Sequence, residues 1–349
     1  MKKPEALQHD VSLAPYATLG IGGPARYFLT ARTEAEIIEA LSFAEAGSIN
    51  LFILGGGSNV LISDDGFDGL VLQIIPRGLS IEPMGGRTVH VTAMAGEDWD
   101  QFVAYCVEND LAGVECLTGI PGFVGGTPVQ NVGAYGQEVS QTIVAVTCLD
   151  RSDRQAVMLS NADCGFSYRT SIFNSTEPSR YIVRSVTFAL EQGGAPKVEY
   201  KDLMAIFGDG KPALGEVRDS VLGIRKAKSM VIDAADPNSR SAGSFFKNPV
   251  VTHAEFARLR ETYSDMPHFQ FDDAVKIPAA WLIEKVGFHQ GFAMGRAGIS
   301  NNHTLALINR GGATAGEIIA LMRAIQAGVA SKFGIDLQPE PIFVGFGER

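Results

Sequence analysis

Residues 26–30 (RYFLT) read as a strand, and the pattern turns helical directly after them. Thr33-x-x-Glu36 is a capping box, and in EAEIIEALSFAEA the apolar Ile37, Ile38, Leu41 and Ala44 recur on one face. Residues 51–54 and 70–74 are apolar runs of strand length, separated by GGGSNVLISDDGFDG. Residues 27–74 are thus expected to form strand, helix, strand, turn, strand, a small α/β unit whose glycine loop follows a strand. Further on, VHVTAMAG leads to a helix-like DWDQFVAYCVENDL, a long glycine loop, and the strand-like TIVAVTCLD, QAVMLS and YIVRSVTFAL. After Gly223 the segment IRKAKSMVIDAADPNSRSAGSFFKNP is polar, prolyl and poor in periodicity, which predicts a domain crossing near Ser229. The remainder alternates again. Thr252-x-x-Glu255 caps HAEFARLRETY, PAAWLIEKVGF and a strand HTLALIN follow, and a capped helix from Thr314 to Phe333 stops at Gly334.

The long loop at 118–136, TGIPGFVGGTPVQNVGAYG, cannot be a helix interior or a packed strand. It gathers Gly119, Gly122, Gly125, Gly126, Gly133 and Gly136 around Pro121, Pro128, Gln130 and Asn131. Glycine lets a ligand approach the main chain closely, and the prolines stiffen the turns between such points. Successive exposed N–H groups form concavities for anions, so one reading is a diphosphate cradle and the other a long surface loop.

Composition narrows the partners. The chain has 349 residues, enough for roughly two domains. Apolar residues make up 46% and charged ones 19%, and no stretch has the apolar length of a membrane span. Lys2 and Lys3 are followed by PEALQHDVSLAPY, which contains no apolar signal-peptide core, so a cytoplasmic location is expected. A net charge of -10 without any dense Lys/Arg block argues against nucleic acid. An anionic ligand would therefore have to be gathered by a few local cations. Cys106, Cys116, Cys148 and Cys164 show no C-x-x-C spacing, and no metal site is expected.

Several motifs fail in context. Gly20 to Ala25 spells the dinucleotide fingerprint G-x-G-x-x-A, but ARYFLTA after it reads as a strand where the fingerprint needs a helix. There is no G-x-x-x-x-G-K-[ST], and Ser58 and Ser244 both miss the G-x-S-x-G elbow. Ser244 in SAGSFFKNP is either a tight-turn residue or a hydroxyl presented in a dry pocket. Glu340, between Pro339 and Pro341, is either an exposed carboxylate or a rigidly held acid. His303 reads as a satisfied histidine at a strand start, since no second ligand stands at metal spacing.

Together, TLGIGGPARYF at 18–28, GGGSNVL at 55–61, GIPGFVGGTPVQNVGAYGQE at 119–138, YRTSIF at 168–173, AGSFFKNP at 242–249 and the late Pro339-Glu340 resemble the UDP-N-acetylenolpyruvoylglucosamine reductase (MurB) family of peptidoglycan precursor synthesis. The resemblance runs in order through nearly the whole chain. It implies an α+β fold with a two-subdomain FAD-binding part of the vanillyl-alcohol-oxidase type, at 1–75 and 76–228. A separate substrate-binding domain would occupy 229–349, with the last residues returning to the FAD part. It further implies noncovalent FAD reduced by NADPH, and a UDP-sugar substrate that takes the same place as NADPH. Ser244, Arg169 and Glu340 become the implied catalytic set. Gly55, Gly56, Gly57, Ser58, Asn59, Gly119, Pro121, Gly122, Gly125, Gly126, Gln130, Asn131 and Tyr135 become cofactor contacts, and Tyr200, Lys228, Asn248 and His303 substrate contacts. Tyr200 resembles the substrate-closing tyrosine of the loop-bearing subclass. A monomer without nucleic-acid or membrane partners is implied. One departure is visible: Ile342 stands where relatives commonly carry arginine. The alternatives are an FAD-dependent alcohol oxidase of the same domain type and a flavin- or nucleotide-sugar-binding sensor. The oxidase would not need AGSFFKNP or Arg169, and the sensor could lose the proton donor.

Overall fold

The computed structural model describes residues 3–347; Met1, Lys2, Glu348 and Arg349 lie outside the described residues. The chain forms two compact units. The first takes the residues up to Val11, Ala25–Gly57 and Asp68–Val231, and the second takes Ser12–Pro24, Ser58–Phe67 and everything from Ile232 on.

Besides a short two-stranded hairpin, the first unit carries two larger sheets. One has the order Gln8–Ser12, Pro24–Ala31, Phe67–Ile74, Leu51–Leu54, and its last pair is parallel with Leu51 opposite Leu70. Helix Glu34–Ala46 connects Pro24–Ala31 to Leu51–Leu54 and begins with the expected box: the Thr33 hydroxyl accepts from Glu36 N–H while the Glu36 carboxylate accepts from Thr33 N–H. The other sheet is antiparallel, in the order Ala156–Ser160, Ile143–Asp150, Tyr181–Gln192, Thr88–Met94, Leu79–Gly85. Phe188 from its central strand meets Trp99 and Phe102 of helix Trp99–Glu108, with Phe102 and Phe188 centroids 4.9 Å apart, so this helix covers the sheet. Two helices that the sequence pattern did not announce, Lys201–Phe207 and Leu214–Ala227, end the unit. Leu214, Val217 and Val221 are buried at three- and four-residue spacing on the second of these.

The second unit packs helix Ala315–Phe333 over two small antiparallel sheets and two shorter helices, His253–Thr262 and Ala279–Lys285. Its long helix starts at the expected Thr314 box, reinforced by Asp64, whose carboxylate accepts from Ala315 N–H and Gly316 N–H at 2.8 and 3.0 Å. It ends at Gly334 in the left-handed region. Ile342–Val344 runs parallel to Val60–Ile62. The 20–25 fingerprint is followed by the strand Pro24–Ala31, as the context argument expected. Its Leu19 and Gly20 carbonyls accept from the Asn309 amide, and the Thr18 hydroxyl donates to the Ser241 carbonyl at 2.6 Å. This motif ties chain segments together inside the second unit.

Candidate functional site

In the first unit the two glycine loops touch main chain to main chain. A Cβ placed on Gly56 would stand 2.7 Å from Gly122 Cα and 3.1 Å from Phe123 N. Only glycine allows that approach. Among the described residues, nothing in the chain accepts from the N–H groups of Gly56, Gly57, Gly122 or Phe123. Four unused main-chain donors therefore cluster where the loops meet, and Ser58 N–H, next along the chain, is also unused. Such a cluster suits a ligand rich in acceptor oxygens, and a diphosphate fits it.

The rest of the second loop is held from within. Gly119 N–H donates to the Asp100 carboxylate at 2.7 Å, Gly125 N–H to the Ala95 carbonyl and Gly126 N–H to the Phe123 carbonyl. Asn131 is 1% exposed and uses its whole carboxamide: the amide donates to Glu138 and the Ser167 carbonyl, and the oxygen accepts from Ser140 N–H. Its part in the loop is to set shape. Pro121 and Gln130 are half-buried beside these residues.

A short hairpin, Gly133–Ala134 against Gln137–Glu138, carries the remaining groups of this unit. Tyr135 in its turn has a φ of 49°, and Arg169 in the Ser167–Thr170 turn has a φ of 54°. Left-handed backbone is costly for such side chains and collects at functional positions. The Arg169 guanidinium donates to the Gly133 carbonyl at 2.8 Å, which ties it to the hairpin. The rings of Tyr135 and Tyr200 meet edge to face at 5.3 Å, and Lys228 Nζ lies 5.7 Å from the Tyr135 centroid. Burial raises the Tyr135 hydroxyl above its ordinary value, opposed by Lys228 and Arg225. Burial pulls the Lys228 ammonium down, but Asp202, accepting from it at 3.0 Å, and Tyr135 leave it above its ordinary value. Tyr200 is 42% exposed at the N-cap position of helix Lys201–Phe207. Tyr135, Arg169, Tyr200 and Lys228, scattered in sequence, are thus assembled in one unit.

The second unit assembles Ser244, His303 and Glu340. Ser244 follows Gly243 and precedes the buried Phe245 and Phe246. Its Oγ lies 3.3 Å from His303 Nε2. Phe245 N–H donates to the Leu305 carbonyl, and Glu340 N–H donates to the Phe245 carbonyl at 2.9 Å. A bridge between Phe246 and Pro339 continues this pairing. The Asn59 amide donates to the Glu340 carbonyl at 3.2 Å, and Ile342 N–H to the Asn59 carbonyl. The serine and the carboxylate therefore sit on paired segments, and Asn59 of the first glycine motif is bound to the second of them. Asn248 uses its carboxamide oxygen on Ala279 N–H at the start of a helix, which leaves its amide for other partners.

Sequence reasoning missed Asp100, Arg218 and Arg225, which surround Gly119. The available signal was Arg225 standing one helical turn before Lys228. The four cysteines are free and buried; burial pushes the thiols of Cys116 and Cys148 up to about 12 and that of Cys164 to about 11, and raises Cys106 further. They are protonated bystanders at neutral pH. A cavity of about 550 Å³ lined by Arg151, Arg154 and Arg180 also lies in the first unit. Arg154 and Arg180 are paired there with Glu45, Asp150 and Glu177, and Arg151 donates to the Ser179 carbonyl. No helix among the described residues is long and apolar enough to cross a membrane.

Comparison with known proteins places this geometry in a family. Residues 25–157 match the family model of an FAD binding domain, and residues 236–344 that of the UDP-N-acetylenolpyruvoylglucosamine reductase C-terminal domain. The UDP-N-acetylenolpyruvoylglucosamine reductase of Thermobifida fusca is 46% identical, the alignment covering 96% of this chain and 97% of that protein. The one from Streptomyces coelicolor is 47% identical, over 97% and 90%. The crystal structure of the Thermus caldophilus reductase superposes with a TM-score of 0.67 at 25% identity, covering 97% of this chain and 99% of that one. An α+β chain with an FAD-binding domain, this protein belongs to the UDP-N-acetylenolpyruvoylglucosamine reductase family.

Proposed function

We propose that this chain reduces UDP-N-acetylglucosamine enolpyruvate to UDP-N-acetylmuramate with NADPH, through noncovalently bound FAD, in the synthesis of peptidoglycan precursors. Within a family named for this reaction, the observation that supports the reading is His303 Nε2 at 3.3 Å from the Ser244 oxygen, on a segment whose next residue, Phe245, pairs with Glu340. An alcohol oxidase has no need for that arrangement. Bound FAD would pass to C3 of the enolpyruvyl ether a hydride taken from NADPH. Negative charge then develops at C2, beside the substrate carboxylate. Arg169 would bind that carboxylate, and Glu340, acting as its protonated acid, would donate to it and favour its enol-like form, an electrostatic contribution set by how well the donors are placed beforehand. Ser244 gives its proton to C2, and His303 keeps the hydroxyl oriented. Hydride and proton both end on the substrate, and the reduction balances once the serine has recovered its proton from water.

The finer assignments rest on the same reading. Gly55, Gly56, Gly57, Ser58, Asn59, Gly119, Pro121, Gly122, Gly125, Gly126, Gln130, Asn131 and Tyr135 build the cofactor site, some through donors and others, such as Asn131, through loop shape. Tyr200, Lys228, Asn248 and His303 serve the UDP-sugar, with Tyr200 on a segment that closes over it, as in the loop-bearing subclass. Its exposure and its short, side-chain-uncapped helix support that mobility. NADPH and the UDP-sugar use one place in turn, in a cytoplasmic monomer. The FAD part would take 1–75 and 76–228 as its two subdomains and the substrate part 229–349, with the last residues returning to the FAD part. The test is anaerobic spectroscopy of the purified protein. A yellow flavin spectrum bleached by NADPH and restored by the enolpyruvyl sugar nucleotide is expected; bleaching that only oxygen reverses would instead indicate the oxidase.

A further inference from the structure

Two buried side-chain nitrogens among the described residues lack a hydrogen-bond partner, and both are guanidinium Nε atoms of one helix, Arg218 and Arg225 of Leu214–Ala227. Seven residues apart, they lie on one helical face, and both reach the same turn of the second glycine loop. Arg218 donates to Asp100 at 3.2 Å, and the Asp100 carboxylate in turn accepts from Gly119 N–H and the Thr118 hydroxyl, each at 2.7 Å. Arg225 lies directly against the turn: a Cβ on Gly119, whose φ is 69°, would stand 3.3 Å from Arg225 Nε. Two guanidinium charges thus face one carboxylate. Arg225 is 7% exposed, makes one hydrogen bond, to the Met230 carbonyl, and has no carboxylate at ion-pair distance among the described residues. A buried arginine left in that state is unfavourable unless an anion completes it.

Resting on the flavin reading above, we propose that Arg225 is the buried counter-charge for the cofactor diphosphate, and that Asp100 and Arg218 position the Gly119 turn for it. The division of labour follows from which groups are already in use. Gly119 N–H is taken by Asp100 and cannot serve an anion, so this end of the loop offers charge. The unused N–H groups of Gly56, Gly57, Gly122 and Phe123 offer directional donors. Lys228, one turn further along the chain from Arg225, is paired with Asp202 and stands over Tyr135, so its charge is already met where that of Arg225 is not.

The test compares FAD with riboflavin, which has the same ring and no phosphate, on the flavin-stripped full chain by fluorescence quenching. Arg225→Met should weaken FAD by about 10- to 100-fold, the size of a lost hydrogen bond to a charged group. Riboflavin should change by less than about threefold, because no charge meets it. Arg225→Lys should recover part of the FAD affinity, and the salt dependence of FAD binding should flatten in Arg225→Met alone. Equal losses for FAD and riboflavin, or FAD affinity kept in Arg225→Met, would overturn the proposal and leave Arg225 as packing under the loop. Should Arg225→Met fail to fold, the FAD-to-riboflavin ratio in Arg225→Lys decides: an unchanged ratio overturns the proposal, a reduced one supports it. Wild-type protein that does not distinguish FAD from riboflavin would overturn the flavin reading itself, which separates the two failures.

Discussion

The first unit builds its candidate site from backbone, and the second from side chains. In the first, Asn131, Tyr135 and Arg169 all have left-handed φ, the two glycine loops are in main-chain contact, and several N–H groups have no partner among the described residues. In the second, the Ser244 hydroxyl meets the His303 ring and the next residue, Phe245, pairs with Glu340, and among the described residues the non-glycine left-handed φ of that unit belongs to Asp272, outside the site. A polyanionic cofactor needs many oriented donors and little chemistry, and backbone supplies those with least bulk. A proton donor needs one group at one place, and a single side chain held by its neighbours supplies that. Damage to the two units should therefore differ in kind.

Ser244→Ala is expected to have the largest effect. It would remove the proposed C2 proton donor and leaves the glycine loops unchanged, so NADPH should still bleach the flavin at nearly the normal rate. Reoxidation by the enolpyruvyl substrate should slow by about 10²- to 10⁴-fold. Anaerobic stopped-flow of each half-reaction separates them. A comparable loss in both would erase the contrast between the units, and no loss in the second would return Ser244 to the status of a turn residue.

Tyr200→Phe should come next. It removes a hydroxyl that would meet the substrate diphosphate, so KM for the UDP-sugar should rise by an amount equivalent to about 1.5–3 kcal/mol, with flavin reduction altered less. An unchanged KM would place Tyr200 outside the substrate site, whatever its contact with Tyr135.

The contrast also explains what could be read from sequence. Glycine-rich loops announce themselves by composition, so residues 55–59 and 118–136 stood out before any family was considered. Capping boxes are local as well, and those at Thr33, Thr252 and Thr314 formed as the spacing required. Helices Lys201–Phe207 and Leu214–Ala227 escaped notice because their N-caps, Tyr200 and Ala213, make no side-chain cap and because charged residues interrupt the apolar stripe. Ser244 looked like a turn residue because its partner His303 is 59 positions away. The Asp100, Arg218 and Arg225 cluster was hidden for the same reason, since pairing across such distances is a property of the fold.

Gly56→Ala tests the contact between the loops. The new Cβ would lie 2.7 Å from Gly122 Cα, which is backbone and cannot rotate away. Destabilisation of about 1–3 kcal/mol is expected, together with weaker FAD binding. Denaturant midpoints and flavin content measure both. Normal values for the two would mean that the loops can separate freely.

Gly126→Ala should give the smallest change, and its two readouts should move in opposite directions. Gly126 is exposed, its φ is not left-handed, and apart from its chain neighbours no atom of the described residues lies within 4 Å of where its Cβ would go. Alanine there restricts the unfolded chain at no steric cost to the folded one, so the flavin-free protein should gain about 0.4–1 kcal/mol. If the space beside Gly126 is where the cofactor lies, the same methyl group should weaken FAD while leaving the flavin-free fold intact. Gly56→Ala loses both properties because protein already fills its space, whereas Gly126→Ala should lose only the ligand. A destabilised flavin-free Gly126→Ala protein would show that the second loop is packed at this point after all. Unaltered FAD affinity would remove Gly126 from the contact surface and leave Gly122 and Phe123 as that loop's donors.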